Sequence, residues 1–538
     1  MSLPIPSFSL VFFVVSVALA WWIWNKFLIL RPFDNVRGPG SASWLKGNRA
    51  QIWHPTGGIK FMQDITQQYG GVVRLEGVFG VQELFVSDPL ALNSISVNDT
   101  SIWQLPAEVL ATNVVLFGEG LPGTTGEAHR KHRKELNPVF SKAHIRELTP
   151  VFYSVGKQLC EAISAIVKAG PQEIDMLPWT ARVSLELIGQ GGLGYSFDKL
   201  TENKPDEYAS AVKDLLPLLF QNPVARALAP FFPLPLRRLL AKITPSRSLQ
   251  ALVRIIHVME LSSKKVLHSK RTAMENGEEA EQIGGGKDLM SALLRAHLQH
   301  KGANPVPESH LLGHINALIF GAVDTTSSAL TRMLHILAQY PDVQTQIRKE
   351  SSTMCERLGT EDLPFDTLSE MPYIDAFLRE ILRLYAPVPV VLRCAVKDTV
   401  LPLYNPTIGK DGHEIKEIAV PAGTTVFASL LIPNISTDIW GEDAMQFKPE
   451  RWLSPLPGTV ANARLPGIYS HLMSFWGGGS ACLFQFSQLE LKIIILLVLK
   501  SFRLSLSDKV VAWRASGLQF PSLSETGSLG LPLIVEAL

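Results

Sequence analysis

The chain of 538 residues carries 50 lysines and arginines against 49 aspartates and glutamates, a net charge of +1 that argues against nucleic-acid binding as its main business. Its 4 widely spaced cysteines offer neither a disulfide framework nor a Cys-x-x-Cys zinc pattern, so the bulk of the chain is expected in a reducing compartment. With 36 prolines and 39 glycines spread along it and no internal repeat, the composition is globular and somewhat apolar.

Residues Leu3 to Trp24 contain no charged side chain. As a helix they would extend about 33 Å, enough for a hydrocarbon core of about 30 Å. Trp21, Trp22 and Trp24 form an interfacial belt, and Lys26, Arg31 and Arg37 follow it. Positive charge after the span places the large C-terminal part in the cytosol. Ala18-Leu19-Ala20 resembles a signal-peptide cleavage site, but the basic segment that should precede it is missing. The sequons at Asn98 and Asn434 would be used only if the domain were lumenal. Arg37-Gly38-Pro39-Gly40 reads as a turn that swings the domain off its anchor.

A helical segment at Ile59–Tyr69 leads into two short strands, Val72–Leu75 and Glu83–Val86. A strongly basic helix follows within Glu127–Ser141, closed by Asn137-Pro138, with His129 and Arg133 on one face. The apolar, proline-rich stretch Leu215–Ile243 predicts short broken helices, either core or a second membrane contact. Glu275–Lys287 reads as an exposed loop, and Glu308–Gln339 as one long helix. Inside that helix Gly321–Ser328 is a poor helical interior, with Asp324 and Thr325 placed to handle protons in a groove. The plain alternative is a threonine hydroxyl bonded back to its own helix.

The helix at Tyr373–Tyr385 puts Glu380 and Arg383 on one face, ends at Ala386-Pro387, and precedes an extended stretch carrying Arg393. Phe447–Trp452 is a proline-stiffened loop with Glu450 and Arg451. Next come Gly477, Gly478 and Gly479, a tight turn that lets something large approach, then Cys482 and a helix-like run from Leu483. A cysteine at a helix N-terminus is placed for a thiolate, and a buried free cysteine is the bland alternative.

In order and spacing these pieces resemble the cytochrome P-450 family of haem-thiolate monooxygenases, from Arg37 to the C-terminus. The basic helix His129–Arg133 with Asn137-Pro138-Val139-Phe140 carries the resemblance, as do Gly321–Thr326, Glu380-x-x-Arg383 with Arg451, and Phe475…Gly478…Cys482. The anchor and hinge resemble a fungal microsomal member. The resemblance implies a mainly α fold with small β-sheets behind a single N-terminal transmembrane helix. Residues 1–31 would be the anchor, 32–48 the hinge and 49–538 the catalytic domain. Cys482 would be the axial ligand of a haem b iron, with His129, Arg133 and Arg393 holding the haem carboxylates. Asp324 and Thr325 would relay protons, and Glu380, Arg383 and Arg451 would form a buried structural triad.

The same resemblance implies O2, a lipophilic substrate, and electrons from NADPH through a cytochrome P-450 reductase. Arg130, Lys131 and Lys134 would face that acidic partner. The enzyme would sit in the endoplasmic reticulum membrane with its catalytic domain in the cytosol. Leu110, Val114 and Phe117 of a variable loop, with Phe320, Val390 and Leu518, would line a pocket for a terpenoid, steroid-like, aromatic or xenobiotic guest.

Three positions depart from the family pattern. Ser480 stands where the pattern has arginine, Phe484 where it has glycine, and Glu490 follows Cys482 by eight residues rather than nine. The simplest account is one glycine missing after Leu483. The competing function is therefore a P-450-like protein with impaired haem binding and no catalysis. A haem-thiolate isomerase or dehydratase is disfavoured by the intact Asp324-Thr325 pair.

Overall fold

The computed structural model describes residues 31–538 except 42, 99–100, 202–207, 209–214, 216–217, 220–221 and 300–306, together with 16–17 and 19–20. The predicted membrane span lies almost wholly outside the described residues. Among the described residues no helix is long and apolar enough to cross a membrane.

Helices dominate. The longest that organise the core are Lys142–Val167, Arg247–Asn276, Glu308–Gln339 and Phe484–Ser501. Glu308–Gln339 runs through the middle, and from Val323 to Ala338 all but one of its residues are buried, polar ones included. Those polar side chains have specific partners. Thr180, on the helix Met176–Leu187, approaches Ser327 Oγ at 3.1 Å and Thr331 Oγ1 at 2.7 Å. Ser328 donates to the Gln519 carbonyl at 2.6 Å. Small hydroxyl residues that weaken an isolated helix thus lock this one to its neighbours.

The largest sheet has five strands in the order Val72–Glu76, Gln82–Val86, Thr425–Ser429, Val390–Ala395, Trp103–Gln104. Only the second and third strands in that order, Gln82–Val86 and Thr425–Ser429, pair in parallel. A three-stranded sheet joins Gln172–Asp175, Pro532–Ala537 and Phe502–Leu506, and two hairpins complete the β structure. The mainly α expectation with small sheets is met.

Other expectations are refined. The segment around Gln104–Phe117 is not a loop: it is mostly the helix Ala107–Phe117. The described part of the hinge does not stand off the domain. Phe33 and Val36 are buried, the Phe33 amide donates to Gln82 Oε1 at 3.0 Å, and the Arg37 carbonyl accepts from Arg74 N at 3.0 Å. The proline-rich stretch forms Pro223–Leu228, a 3-10 turn at Ala229–Phe231 and Leu234–Ile243, as its prolines predict. Its start is core, with Leu215 buried and Leu218 and Leu219 packed beside it, whereas Leu228, Phe231, Leu239 and Ile243 are exposed. The sequon Asn434 is fully buried, donating to Ser474 Oγ at 2.9 Å and accepting from Met473 N at 2.9 Å, so the folded chain cannot present it for glycosylation.

Candidate haem-thiolate site

Cys482 stands two residues before the helix Phe484–Ser501, at the end of a loop that must turn sharply. Gly478 has φ +63°, and a Cβ there would lie 1.9 Å from the Ser96 carbonyl oxygen, so no other residue fits. The Cys482 amide donates to the Phe475 carbonyl at 2.9 Å and closes the turn. The cysteine keeps accessible surface although protein surrounds it, so that surface borders an internal cavity. Across the chain the long helix offers a matching opening. Gly321 is exposed between buried Ile319 and Val323, and nothing lies within 4 Å of where its Cβ would stand.

Cations gather around this cavity. Arg133 and Arg393 have no acidic partner within ion-pair distance among the described residues. Arg393 Nη1 donates to the Leu392 carbonyl at 2.8 Å, and its guanidinium lies 4.9 Å from the centre of the Trp476 ring. Burial pushes Arg393 down to about 10. Burial also lowers Arg133, opposed by its attraction to the Cys482 sulfur. His129 is lowered by burial and then by Arg133, Arg393 and His132, which puts these groups in one electrostatic neighbourhood. At neutral pH His129 is a neutral donor rather than a third cation.

The sulfur itself corrects one expectation. Burial raises the Cys482 thiol to about 11, outweighing the Leu483 amide and Arg133, which lower it. The helix end alone therefore does not make a thiolate; a bound cation is needed to displace the proton. The donor set fits haem: one sulfur, two guanidiniums that lack carboxylates, and a cavity edge free of side chain at Gly321.

Thr325 donates to the Gly321 carbonyl at 2.6 Å, which is the back-bonded geometry that sequence alone left open. Its single hydrogen is thus used, and its lone pairs remain to accept. Asp324 beside it is 8% exposed. Sequence reasoning used Glu490 only for spacing, yet the structure places it in the site. Thr326 donates to Glu490 Oε1 at 2.7 Å, and burial raises this carboxyl to about 8. The signal was available: Glu490 is the one acid in the helix Phe484–Ser501.

Behind the cavity Glu380 and Arg383 are both fully buried, paired at 2.8 Å. Arg451 Nε lies 3.6 Å from Glu380 Oε1 and is held mainly by Asp443 at 2.8 Å. Glu380 also accepts from Lys448 N and Trp452 Nε1, each at 3.0 Å. Arg383 donates to the Asn434 carbonyl at 2.9 Å, and Asn434 in turn holds Met473 and Ser474 at the start of the cysteine loop. Asn434, Asp443 and Trp452 had no signal of this kind in the sequence, since their partners lie far along the chain.

Of the expected pocket residues, Phe117 and Phe320 meet with ring centres 5.0 Å apart, one residue from Gly321. Leu110 and Val114 are half-buried on the same helix as Phe117, and Leu518 is buried in a hairpin strand. Val390 is a correction. It packs in a second apolar core with Leu384 and Phe427, and strand alternation puts Val391, not Val390, on the face of Arg393. Phe484 turns onto Tyr469 and Phe475, at 5.5 and 5.9 Å between ring centres, so its bulk is absorbed by an aromatic cluster.

The sequence profile of the cytochrome P450 family matches residues 37–523. The chain is 42% identical over 537 residues to a cytochrome P450 monooxygenase of Postia placenta, covering 97% of this chain and 98% of that one. It is 39% identical over 532 residues to a ganoderic acid synthetase of Ganoderma lucidum, covering 97% of each. A cytochrome P450 crystal structure at 20% identity aligns with a TM-score of 0.69 over 93% of this chain and 99% of that one, a likeness of fold. By a family match over nearly its whole length and by these identities, the chain belongs to the cytochrome P450 family of haem-containing monooxygenases.

Proposed function

We propose that the protein is a membrane-anchored monooxygenase that oxygenates a lipophilic secondary metabolite, with electrons from NADPH delivered by a cytochrome P450 reductase. The observation that carries this reading is the meeting of Cys482 with Arg133, Arg393 and His129 around one cavity. Haem bound there supplies the activation of dioxygen for insertion of one oxygen atom into substrate. The chain's own residues do the rest. Cys482 ligates, the Leu483 amide steadies the sulfur's charge, and Arg133, Arg393 and His129 hold carboxylates. Asp324 would bring protons into the groove, and Thr325, its own hydrogen held by the Gly321 carbonyl, would accept a hydrogen bond at Oγ1 that orients the proton donor.

Phe117 and Phe320 offer an apolar wall that suits a lipophilic guest such as a terpenoid, and one relative is named as a ganoderic acid synthetase. Arg130, Lys131 and Lys134 are exposed on the basic helix while His132 and Leu136 are buried, a charged face that suits an acidic reductase. Residues 1–31 anchor the chain in the endoplasmic reticulum membrane, 32–48 form the connecting segment and 49–538 the cytosolic catalytic domain. Leu236, Leu239 and Ile243 share one exposed face of Leu234–Ile243, an apolar surface for the same membrane.

The second reading, impaired haem binding, rests on Ser480, where no guanidinium can reach a carboxylate. The reduced, carbon-monoxide-bound spectrum of the purified protein decides between them. The red-shifted Soret band of thiolate ligation is expected, and it should vanish in Cys482→Ala. Protein that stays free of haem when precursor is ample supports the second reading.

A further inference from the structure

The basic helix Gly126–Leu136 and the first turns of Glu308–Gln339 enclose a second group of ligand-type side chains, apart from Cys482. His132 is 2% exposed and His314 is 1% exposed. One ligand atom from each, with one from Glu135, all lie within 4.8 Å of one another. His310, one turn before His314, meets His132 edge-on with ring centres 4.9 Å apart, and His314 meets it at 4.8 Å. Three imidazoles and a carboxylate thus converge from two helices. Both ring nitrogens of His314 and Nδ1 of His132 are buried without a hydrogen-bond partner among the described residues. Glu135 Oε2 stops 3.5 Å from His132 Nδ1. Buried polar atoms are ordinarily paired, so a cluster left unpaired asks for a ligand.

We propose that His132, His314 and Glu135, with His310 as a fourth ligand, form a binding site for a divalent transition metal of the zinc type. The spacing suits it. His310 and His314 are four residues apart on one helix face, and His132 and Glu135 three apart on another. Zinc bonds of about 2.0–2.2 Å require the side chains to rotate inward by roughly 1 Å, within the reach of imidazole and carboxylate torsions. Glu119 would orient the set from outside, with Oε2 3.5 Å from His310 Nε2 and its carbonyl facing His132. A metal here would staple the helix of His129 and Arg133 to the helix of Asp324 and Thr325. The site is independent of the haem reading.

The test uses the purified full chain, stripped with a chelator, equilibrated with Zn2+, gel-filtered and assayed for metal by mass spectrometry. About one zinc per chain is expected, with a thermal midpoint several degrees higher than in the stripped protein. His314→Leu should lose both the zinc and the shift. Glu135→Gln, a nearly isosteric change at a half-buried position, should weaken zinc binding by about tenfold or more. His413→Ala, at an exposed histidine elsewhere, should change neither. Wild-type protein that emerges without zinc overturns the proposal, and so does Glu135→Gln that binds as tightly as wild type.

Discussion

Glu490 shows how a single buried group couples pH to stability. Its ordinary value is 4.5 and burial raises it to about 8, so the folded chain holds a proton that the unfolded chain releases. The stability it permits is full below pH 4.5 and is lost as pH rises toward 8, by at most about 5 kcal/mol at about 1.36 kcal/mol per unit. Glu490→Gln should flatten that fall, read as urea midpoints at pH 5, 7 and 8.5. An unchanged slope in the variant would mean the carboxyl is already ionised in the folded protein. Glu380 is a second buried acid, and it pairs with Arg383 and accepts from Lys448 N and Trp452 Nε1. Glu380→Gln leaves Arg383 buried without its counter-charge and should cost about 3–5 kcal/mol in denaturant titrations. A loss below about 1 kcal/mol would make the pair equivalent to a surface one.

At the scale of elements, the cysteine loop and the helix after it are one unit. Gly478 fits under Ser96, Asn434 ties Met473 and Ser474 to the triad, and Phe484 closes an aromatic cluster with Tyr469 and Phe475. These contacts hold the unit together, although Glu490 follows Cys482 by only eight residues. What it lacks is a charge-assisted bond at Ser480, worth very roughly 1.5–3 kcal/mol. Ser480→Arg with a glycine inserted after Leu483 should slow haem transfer to apomyoglobin by about tenfold or more. No slowing would show that Arg133, Arg393 and His129 already suffice. The strand Val390–Ala395 adds a caution about elements. Its extended character was legible, but which of Val390 and Val391 meets the cavity depended on register with Thr425–Ser429.

At the scale of the whole molecule, the proposed membrane contact would draw on more than one element. The apolar faces at Phe231 and at Leu236, Leu239 and Ile243 lie on the surface of the folded domain. Removing residues 1–31 should leave protein that still partly sediments with liposomes. Adding Phe231→Glu and Leu239→Glu should move it to the supernatant. Truncated protein that never sediments would assign all membrane affinity to the N-terminal segment.

The sequence by itself determined the family, the helix order, the position of Cys482 and the pairing of Glu380 with Arg383. Those follow from local spacing, proline and glycine chemistry, and motifs whose order along the chain is specific. Only the tertiary structure decided that the helix end does not ionise the cysteine and that Glu490 is a buried acid in the site. It alone turned Val390 away, buried Asn434 and brought His132 and His314 together. Each of those depends on what a distant segment places against a side chain, through desolvation, register or contact, and spacing along the chain does not encode it locally.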